Sequence, residues 1–485
     1  MNHQKQLDVL EDTPDWLQVL GADARVNIRR GGAPARGGKC VVYWMERAQR
    51  GVDNHAIDLA VAISNQLALP LVVYFAGISN FPHANLRHYA FLQQGLPDIA
   101  EDLASRNISY VMRCAPHDSR ERFLSDVSAA ICIGDENPLR IPESWRAELA
   151  RSISIPFWTV DTEVIVPSKL IVKAQFGAYT IRPRLYRLLP EFLVPYANPD
   201  ADLTWKRPEG LQADSVHKDM TAGWKDLDRT VQPVAQWVGG THAGLKRLHL
   251  FTTHMLSQYE SKRNKPETDG TSAMSPYLHF GQVGSQTIAL AVAKAAEHDP
   301  SLQSAKESYF NELIAWRELA VNFVKYNPHY DSYEAAEDWA KKTISEHIRD
   351  EREHIYTLDQ LESGSTHDTL WNAAQTQMVV SGWMHNYMRM YWAKKILEWT
   401  PDVETAMTYA VHLNDKYFLD GRDPDGYAGI AWAILGKFDR AWGIRPIFGK
   451  RRYMSGASTG KKFDSKLYIR QMANLADRQS TFSLK

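Results

Sequence analysis

The side chains that stand out in this chain are indoles, a hydroxyl-rich turn and a local basic cluster rather than nucleophile or metal-ligand motifs. Fifteen tryptophans occur, and eight of them (Trp316, Trp339, Trp371, Trp383, Trp392, Trp399, Trp432, Trp442) lie after residue 300. Packing is the ordinary use of an indole, which buries a large apolar area. Trp392 and Trp399 stand seven residues apart in one helical stretch, hence on nearly the same face. Thr271-Ser272-Ala273-Met274-Ser275-Pro276 is a hydroxyl-rich turn entering a helix, a pattern that can hold a phosphate or simply cap the helix. Arg389 and Asp420 read as surface charges and Asn414 as a helix-terminal cap. Arg440, Arg445, Lys450, Arg451 and Arg452 form a local basic cluster suited to phosphates or to water.

Several enzyme classes are excluded by what is missing. No HExxH motif occurs, and nothing of GxSxG or paired-carboxylate form has a spacing that would demand a hydrolase reading. No GxGxxG or Walker A sequence follows a strand, which argues against an ordinary NAD enzyme or P-loop NTPase; Gly31-Gly32 and Gly37-Gly38 read as loop punctuation. The cysteines Cys40, Cys114 and Cys132 are widely spaced, without the pattern of a disulfide framework or structural zinc, and fit a reducing cytoplasm. Lys plus Arg (56) nearly balance Asp plus Glu (57), so any DNA site must be a local patch.

Chemistry of this kind needs elements to position it. The 485 residues, 44% of them hydrophobic, suffice for a large core and more than one domain. From Lys39 to about Asp161 short apolar runs (Val41–Trp44, Leu71–Phe75, Ile108–Met112, Ala130–Ile133) alternate with amphipathic stretches. Asp53 is placed to cap the first helix, and a second spans Ala84 to Ala104. This succession predicts a parallel sheet covered by helices. Residues 195–238, rich in Pro, Asp, Lys and Gly, read as a connection. Beyond them helical periodicity recurs at Leu245–Ser257, Gly284–Ala296, Ser304–Val324, Asp368–Val380, Trp383–Trp399 and Val403–Leu413. The predicted organisation is an extension (1–35), an α/β Rossmann-like domain (36–194), a linker (195–238) and an all-α domain (239–485). No apolar run approaches about 20 residues, so no membrane span is expected.

In register from about Ala24 to Lys466 the chain resembles the photolyase/cryptochrome superfamily, and within it the class II cyclobutane pyrimidine dimer photolyases. The resemblance is carried by Val41-Val42-Tyr43-Trp44-Met45 with Asp53-Asn54-His55-Ala56, by Ser275-Pro276-Tyr277-Leu278-His279-Phe280-Gly281-Gln282, and by Trp371-Asn372-Ala373-Ala374-Gln375. It continues through Met384 to Lys395, Leu413-Asn414-Asp415 and Asp420-Gly421-Arg422-Asp423-Pro424. What it implies is a helical domain that binds FAD and repairs UV-damaged DNA by light-driven electron transfer to a flipped-out dimer. By this resemblance Tyr259, Thr271, Ser272, Ser275, Gln282 and Gly421 would line the FAD pocket. Arg389 and Asp420 would pair over the isoalloxazine, and Asn414 would sit at its N5 edge. Trp371, Trp392 and Trp399 would relay electrons from the surface. Glu312 would hydrogen-bond the dimer, with Trp316, Tyr387, Met390, Trp432 and Trp442 around it, Arg263 and Asn264 filling the gap in the duplex, and Arg451 among the residues that meet the DNA.

The chain departs from the family pattern at Asp425 (Asn is usual), Trp383 (Lys), Asn386 (Gly) and Leu435-Gly436-Lys437-Phe438 (Gly-Gly-Val-His). A cryptochrome-like blue-light receptor is the alternative, opposed by Glu312, Trp316, Met390 and Trp432. A photolyase for the 6–4 photoproduct would need a histidine pair, of which His385 supplies one member. The superfamily role of the α/β domain implies an antenna chromophore of the 8-hydroxydeazaflavin type. No metal and no obligate protein partner are expected, and the resemblance implies a cytoplasmic monomer associated with the nucleoid through DNA.

Overall fold

Six short strands, the central ones buried on both faces, make the sheet that organises the first third of the chain. The structure, a computed structural model, describes residues 13–483. The strands are β1 (Val26–Arg30), β2 (Cys40–Trp44), β3 (Leu71–Gly77), β4 (Ser109–Cys114), β5 (Ala129–Asp135) and β6 (Phe157–Val160). They lie in the order β1-β6-β5-β2-β3-β4. Strands β2 to β6 pair in parallel, and their continuous buried runs are what a sheet covered on both faces requires. The edge strand β1 pairs antiparallel with β6, so the sheet is mixed rather than wholly parallel. Neither β1 nor β6 is evident in sequence, because β1 (VNIRR) carries two arginines and β6 (FWTV) is four residues long.

Two local readings change. The helix His55–Leu67 is capped by Asn54, whose Oδ1 accepts from the N–H of Ala56 at 2.9 Å; Asp53 instead accepts hydrogen bonds from Asn198 and Thr287. The stretch Ala84 to Ala104 is two helices, Leu86–Gln94 and Leu96–Ala104, broken at Gly95, where Gly240 and the Gln282 side chain approach too closely for a Cβ.

Between Phe192 and Thr241 the chain forms no helix or longer strand, but it is not loose. It bridges to β3 at Leu71↔Thr204 and to β4 at Met112↔Asp214. Trp205, Met220, Trp224 and Leu227 are buried in the cores flanking the sheet. The remainder is helical, with Thr369–Ser381, Asn386–Glu398 and Val403–Tyr417 packed around a core that contains Trp371, Trp392 and Trp399. The stretch Ser304–Val324 is helical throughout, but residues Asn311–Trp316 widen into a π-helix between Gln303–Phe310 and Arg317–Tyr326. Two further π turns occur, Phe251–Met255 and, after the helix Pro424–Ile430, Ala431–Leu435. No helix among the described residues is long and apolar enough to cross a membrane.

A buried ion network fastens the α/β domain to the helical one. Asp135, at the end of β5, accepts the N–H groups of Glu46, Arg47 and Ala48, which fixes the turn after β2 and aims Arg47 at the junction. Arg47 bonds Glu163 and Asp423 (2.8 Å to the latter), while Arg317 bonds Glu163 at 2.9 Å and Asp425 at 2.9 Å. Gly281, at φ 65°, passes so close to the Arg47 carbonyl that a Cβ would lie 1.9 Å from it.

Candidate active site

One cavity of about 1510 Å³ opens within the helical domain. Pockets for a single small ligand commonly take about 300–1,000 Å³, so there is room for more than one bound group. Two of the three π turns face it: Asn311–Trp316 contributes Glu312, Leu313 and Trp316, and Ala431–Leu435 contributes Trp432. A π turn adds a residue to the helical circuit and turns side chains off the regular face, a device found often at functional sites.

The polar part of the wall is built from distant segments. Arg389, on Asn386–Glu398, meets Asp420 with Nη2 at 2.9 and 3.0 Å from the two carboxylate oxygens, and its Nε donates to the Met384 carbonyl at 2.9 Å. The guanidinium lies 3.9 Å from the centre of the Phe418 ring, which fixes it further. Asn414 lines the cavity beside Gly426, with its Nδ2 donating to Asp415 at 2.8 Å. The Thr271–Ser275 turn is held from behind by Arg247, which donates to the Thr271 and Ser272 carbonyls at 3.1 and 2.8 Å. Tyr309 donates to the Ser272 hydroxyl at 3.0 Å, and Tyr259 packs edge-on to Tyr309. Neither Arg247 nor Tyr309 was singled out in sequence, and no spacing marks them.

Across the cavity Glu312 accepts from Arg263 Nη2 at 2.9 Å and from Asn311 at 3.2 Å. Arg263 also reaches Ser308 at 3.1 Å, so its guanidinium is turned onto the wall in this structure. Asn264, Trp316, Tyr387, Met390 and Trp442 complete that side. Trp442 is 40% exposed, with Arg440 and Arg452 over its ring at 5.4 and 5.1 Å. Arg445 packs over Tyr453 at 5.3 Å and also lines the cavity.

Three expected residues are placed otherwise. Gln282 is fully buried behind the cavity, accepting from Gly240 N–H at 2.8 Å and donating to the Phe91 carbonyl at 3.3 Å; it ties chain segments together. Gly421 lies outside the lining, where a Cβ would come within 2.5 Å of the Asn414 carbonyl, so it is a packing glycine. Arg451 borders the cavity, but its guanidinium is buried and donates to the carbonyls of Phe448, Ile434 and Ile447. Burial lowers its pKa to about 10, so it stays charged at neutral pH, but its N–H groups are spent on these carbonyls rather than turned into the cavity.

The tryptophans form a connected path. Trp392 touches the cavity and donates through Nε1 to Gln375 at 2.8 Å. Trp371 Nε1 donates to the Trp392 carbonyl at 3.0 Å, and its ring lies 5.6 Å from that of Trp399. Trp399 is itself buried and is screened by Tyr356 and His367, at 5.5 and 5.1 Å. The departures also have places. Trp383 lines the cavity and donates to the Ser275 hydroxyl at 3.3 Å, while Phe438 packs edge-on against Phe323. Asp425 faces the cavity beside Arg317. Although nearly half exposed, its carboxylate sits in a concave wall near Asp423 and Glu163; desolvation and those charges raise its pKa to about 6.

Together these features define a two-domain architecture: an α/β sheet joined to a helical domain whose deep cavity has an ion pair in its wall and buried indoles beside it. The chain belongs to the DNA photolyase family. The DNA photolyase family model matches residues 41–200. The chain is 40% identical over 460 residues to the deoxyribodipyrimidine photo-lyase of Methanothermobacter thermautotrophicus, covering 93% of this chain and 99% of the relative. It is 39% identical to the enzyme of the same name from Potorous tridactylus (89% of this chain, 81% of the relative), and 39% identical to that of Arabidopsis thaliana (90% and 89%). The crystal structure of a class III photolyase from Agrobacterium tumefaciens superposes with a TM-score of 0.70 at 18% identity, covering 90% of this chain and 87% of that one. An archaeal photolyase from Sulfolobus tokodaii, described with two FAD molecules, superposes with a TM-score of 0.65 at 16% identity over 89% of each chain. These two likenesses concern the fold.

Proposed function

We propose that the protein is a class II deoxyribodipyrimidine photo-lyase that uses reduced FAD and blue light to split cyclobutane pyrimidine dimers in DNA. The observation that carries this reading is the single cavity in which Arg389, Asp420, Asn414 and the Thr271–Ser275 turn face the same space as Glu312, Trp316, Met390 and Trp432. The donor set fits the cofactor: hydroxyls for its phosphates, and a buried ion pair with a carboxamide for its ring. Reduced FAD, when bound there, supplies on excitation the electron that opens the cyclobutane ring and takes it back afterwards.

The protein's own share is positioning. Tyr259, Thr271, Ser272 and Ser275 hold the phosphate-bearing part. Arg389 and Asp420 place opposite charges in fixed geometry near the ring, and Asn414 has its carboxamide oxygen left for the N5 edge, since Nδ2 is committed to Asp415. Trp316 and Trp432 offer flat apolar faces to a dimer removed from the stack, and Glu312 accepts a hydrogen bond from it. An antenna of the 8-hydroxydeazaflavin type would belong at the carboxyl end of the sheet. There Arg120 is stacked between Trp44 and Trp145 at 4.9 and 5.4 Å, and a planar pigment would have to part them.

The test is to reduce the bound flavin anaerobically and follow thymine-dimer repair in a synthetic oligonucleotide under blue light and in darkness. Light-dependent restoration supports the reading. A yellow, photoreducible protein that leaves the dimer intact would establish the receptor alternative in its place.

A further inference from the structure

From Val164 to Pro190 the chain carries five Lys or Arg residues and no Asp or Glu, in a protein whose formal net charge is −1. Lys169 is spent on the carbonyls of Asp23 and Val26, and Arg182 is partly buried. Lys173, Arg184 and Arg187 are exposed, and none pairs with a carboxylate among the described residues. Between them Phe176 and Tyr179 stand 45% and 66% exposed, their rings 6.2 Å apart.

No residue of this strip lines the cavity; it is an outer lip that backs two segments of the wall. Gly177 lies against the carbonyl of Phe438, a cavity residue, at 3.6 Å from its Cβ position, and the helix Ala178–Phe192 packs on the π turn that bears Glu312 and Trp316. It is also rigid. Asn322 accepts from Gln175 N–H at 2.8 Å and donates to the Lys173 carbonyl at 3.2 Å, Tyr326 donates to the Ile171 carbonyl at 2.8 Å, and Thr180 closes the turn at Gly177.

We propose that Lys173–Arg187 is a second arm of the DNA interface: a strand leaving the cavity mouth lays its phosphates on Lys173, Arg184 and Arg187 and its sugars or bases against Phe176 and Tyr179. The proposal rests on the reading that the cavity takes a DNA dimer. Cationic side chains interleaved with exposed aromatic faces suit a nucleic-acid strand, since an acidic protein would use the charges but not the rings. Preorganisation of the lip means that little ordering cost opposes binding.

The experiment compares the FAD-loaded protein with its Lys173→Ala/Arg184→Ala/Arg187→Ala variant in binding a dimer-containing duplex over a range of salt. Loss of three phosphate contacts should make the plot of log K against log salt shallower by about 2.7, from roughly 0.9 per contact. Repair of an isolated dimer dinucleotide, which has no flanking phosphates, should be equal in the two proteins. An unchanged slope and affinity overturn the proposal, as does equal weakening on the dinucleotide. Should the triple variant fail to hold FAD, Arg184→Ala alone must give about one third of the slope change, and an unchanged slope there overturns it equally. A parent that binds dimer DNA with the expected slope but never repairs it would sink the repair reading and leave the lip standing.

Discussion

Removing the Trp432 ring should cost affinity for damaged DNA and little else. The residue sits in the π turn Ala431–Leu435, where Ala431, Ala433, Ile434 and Leu435 are the buried positions and the Trp432 ring is only partly covered, facing the cavity. Truncation to alanine therefore enlarges an existing cavity rather than opening one in the core. What is lost is one aromatic face against one base, about 1–3 kcal/mol, which is a factor of roughly 5 to 150 in dissociation constant. Intact duplex, held by phosphate contacts, keeps its base inside the stack and should be unaffected. Binding of labelled duplexes with and without a thymine dimer, at one fixed salt concentration, reads both numbers. Trp432→Ala losing equally on both duplexes would show the indole to be structural, and no loss on the damaged duplex would remove it from the lesion site.

Other consequences follow from single contacts. Trp371→Phe removes the donor to the Trp392 carbonyl and the indole beside Trp399; photoreduction of oxidised FAD should slow while repair by pre-reduced enzyme persists, and equal photoreduction in variant and parent would refute the relay. Lys394 is buried under Trp432, bonded only to the Ala433 carbonyl, and desolvation brings its pKa down to about 7. The unfolded chain keeps that proton up to about pH 10.4, so between pH 7 and 10 it binds more protons than the fold does and stability rises with pH, by up to about 1.4 kcal/mol per unit. Lys394→Met should be more stable than the parent at pH 7 and lose this rise; thermal melts at both ends of the window decide it, and a parent-like pH dependence would refute it. Asp425→Asn should abolish any change in dimer affinity between pH 5 and 7, because the carboxylate that titrates near 6 faces the cavity; a pH profile identical to the parent's would assign the change to another group. Gly281→Ala drives a Cβ against the Arg47 carbonyl at a positive φ and should cost roughly 3 kcal/mol or more, seen as a lower unfolding midpoint, and an unchanged midpoint would contradict the packing described.

The parts of this fold that were legible in sequence are those where one physical signal dominates. Val41–Trp44 and Leu71–Phe75 announce buried parallel strands because nothing in them tolerates water, whereas the edge strand β1 is half polar and borrows its apolar face from Leu17 and Trp158. The choice between Asp53 and Asn54 as helix cap turns on backbone dihedrals that composition does not encode. The π turns were invisible for a related reason: one inserted residue in Asn311–Trp316 leaves the apolar spacing of Ser304–Val324 almost intact while redirecting Glu312 and Trp316 into the cavity. The meeting of Arg389 and Asp420, 31 positions apart, came from resemblance and not from spacing. The resemblance carries residue type and order but not whether a side chain is spent on the backbone, as Gln282 and Arg451 are here.

The geometry also explains why a cavity this large can be open and still fixed. Two of its indoles, Trp316 and Trp432, lie on π turns, whose irregularity alone would leave them adaptable, yet Arg317, next to Trp316, is anchored to Glu163 and Asp423 in the junction with the α/β domain. Buried ion pairs of this kind contribute little net stability, since desolvation offsets the attraction, but removing one partner leaves an unpaired buried charge at a cost of about 3–5 kcal/mol. The network therefore acts as a register: only one placement of the sheet domain against the cavity wall satisfies Arg47, Arg317, Glu163 and Asp423 together. Asp425 adds a third carboxylate to two guanidiniums, and its raised pKa is the electrostatic consequence. This chain has thus put the one surplus charge of that network on the cavity side rather than in the junction, where it would weaken the register that holds Trp316 in place.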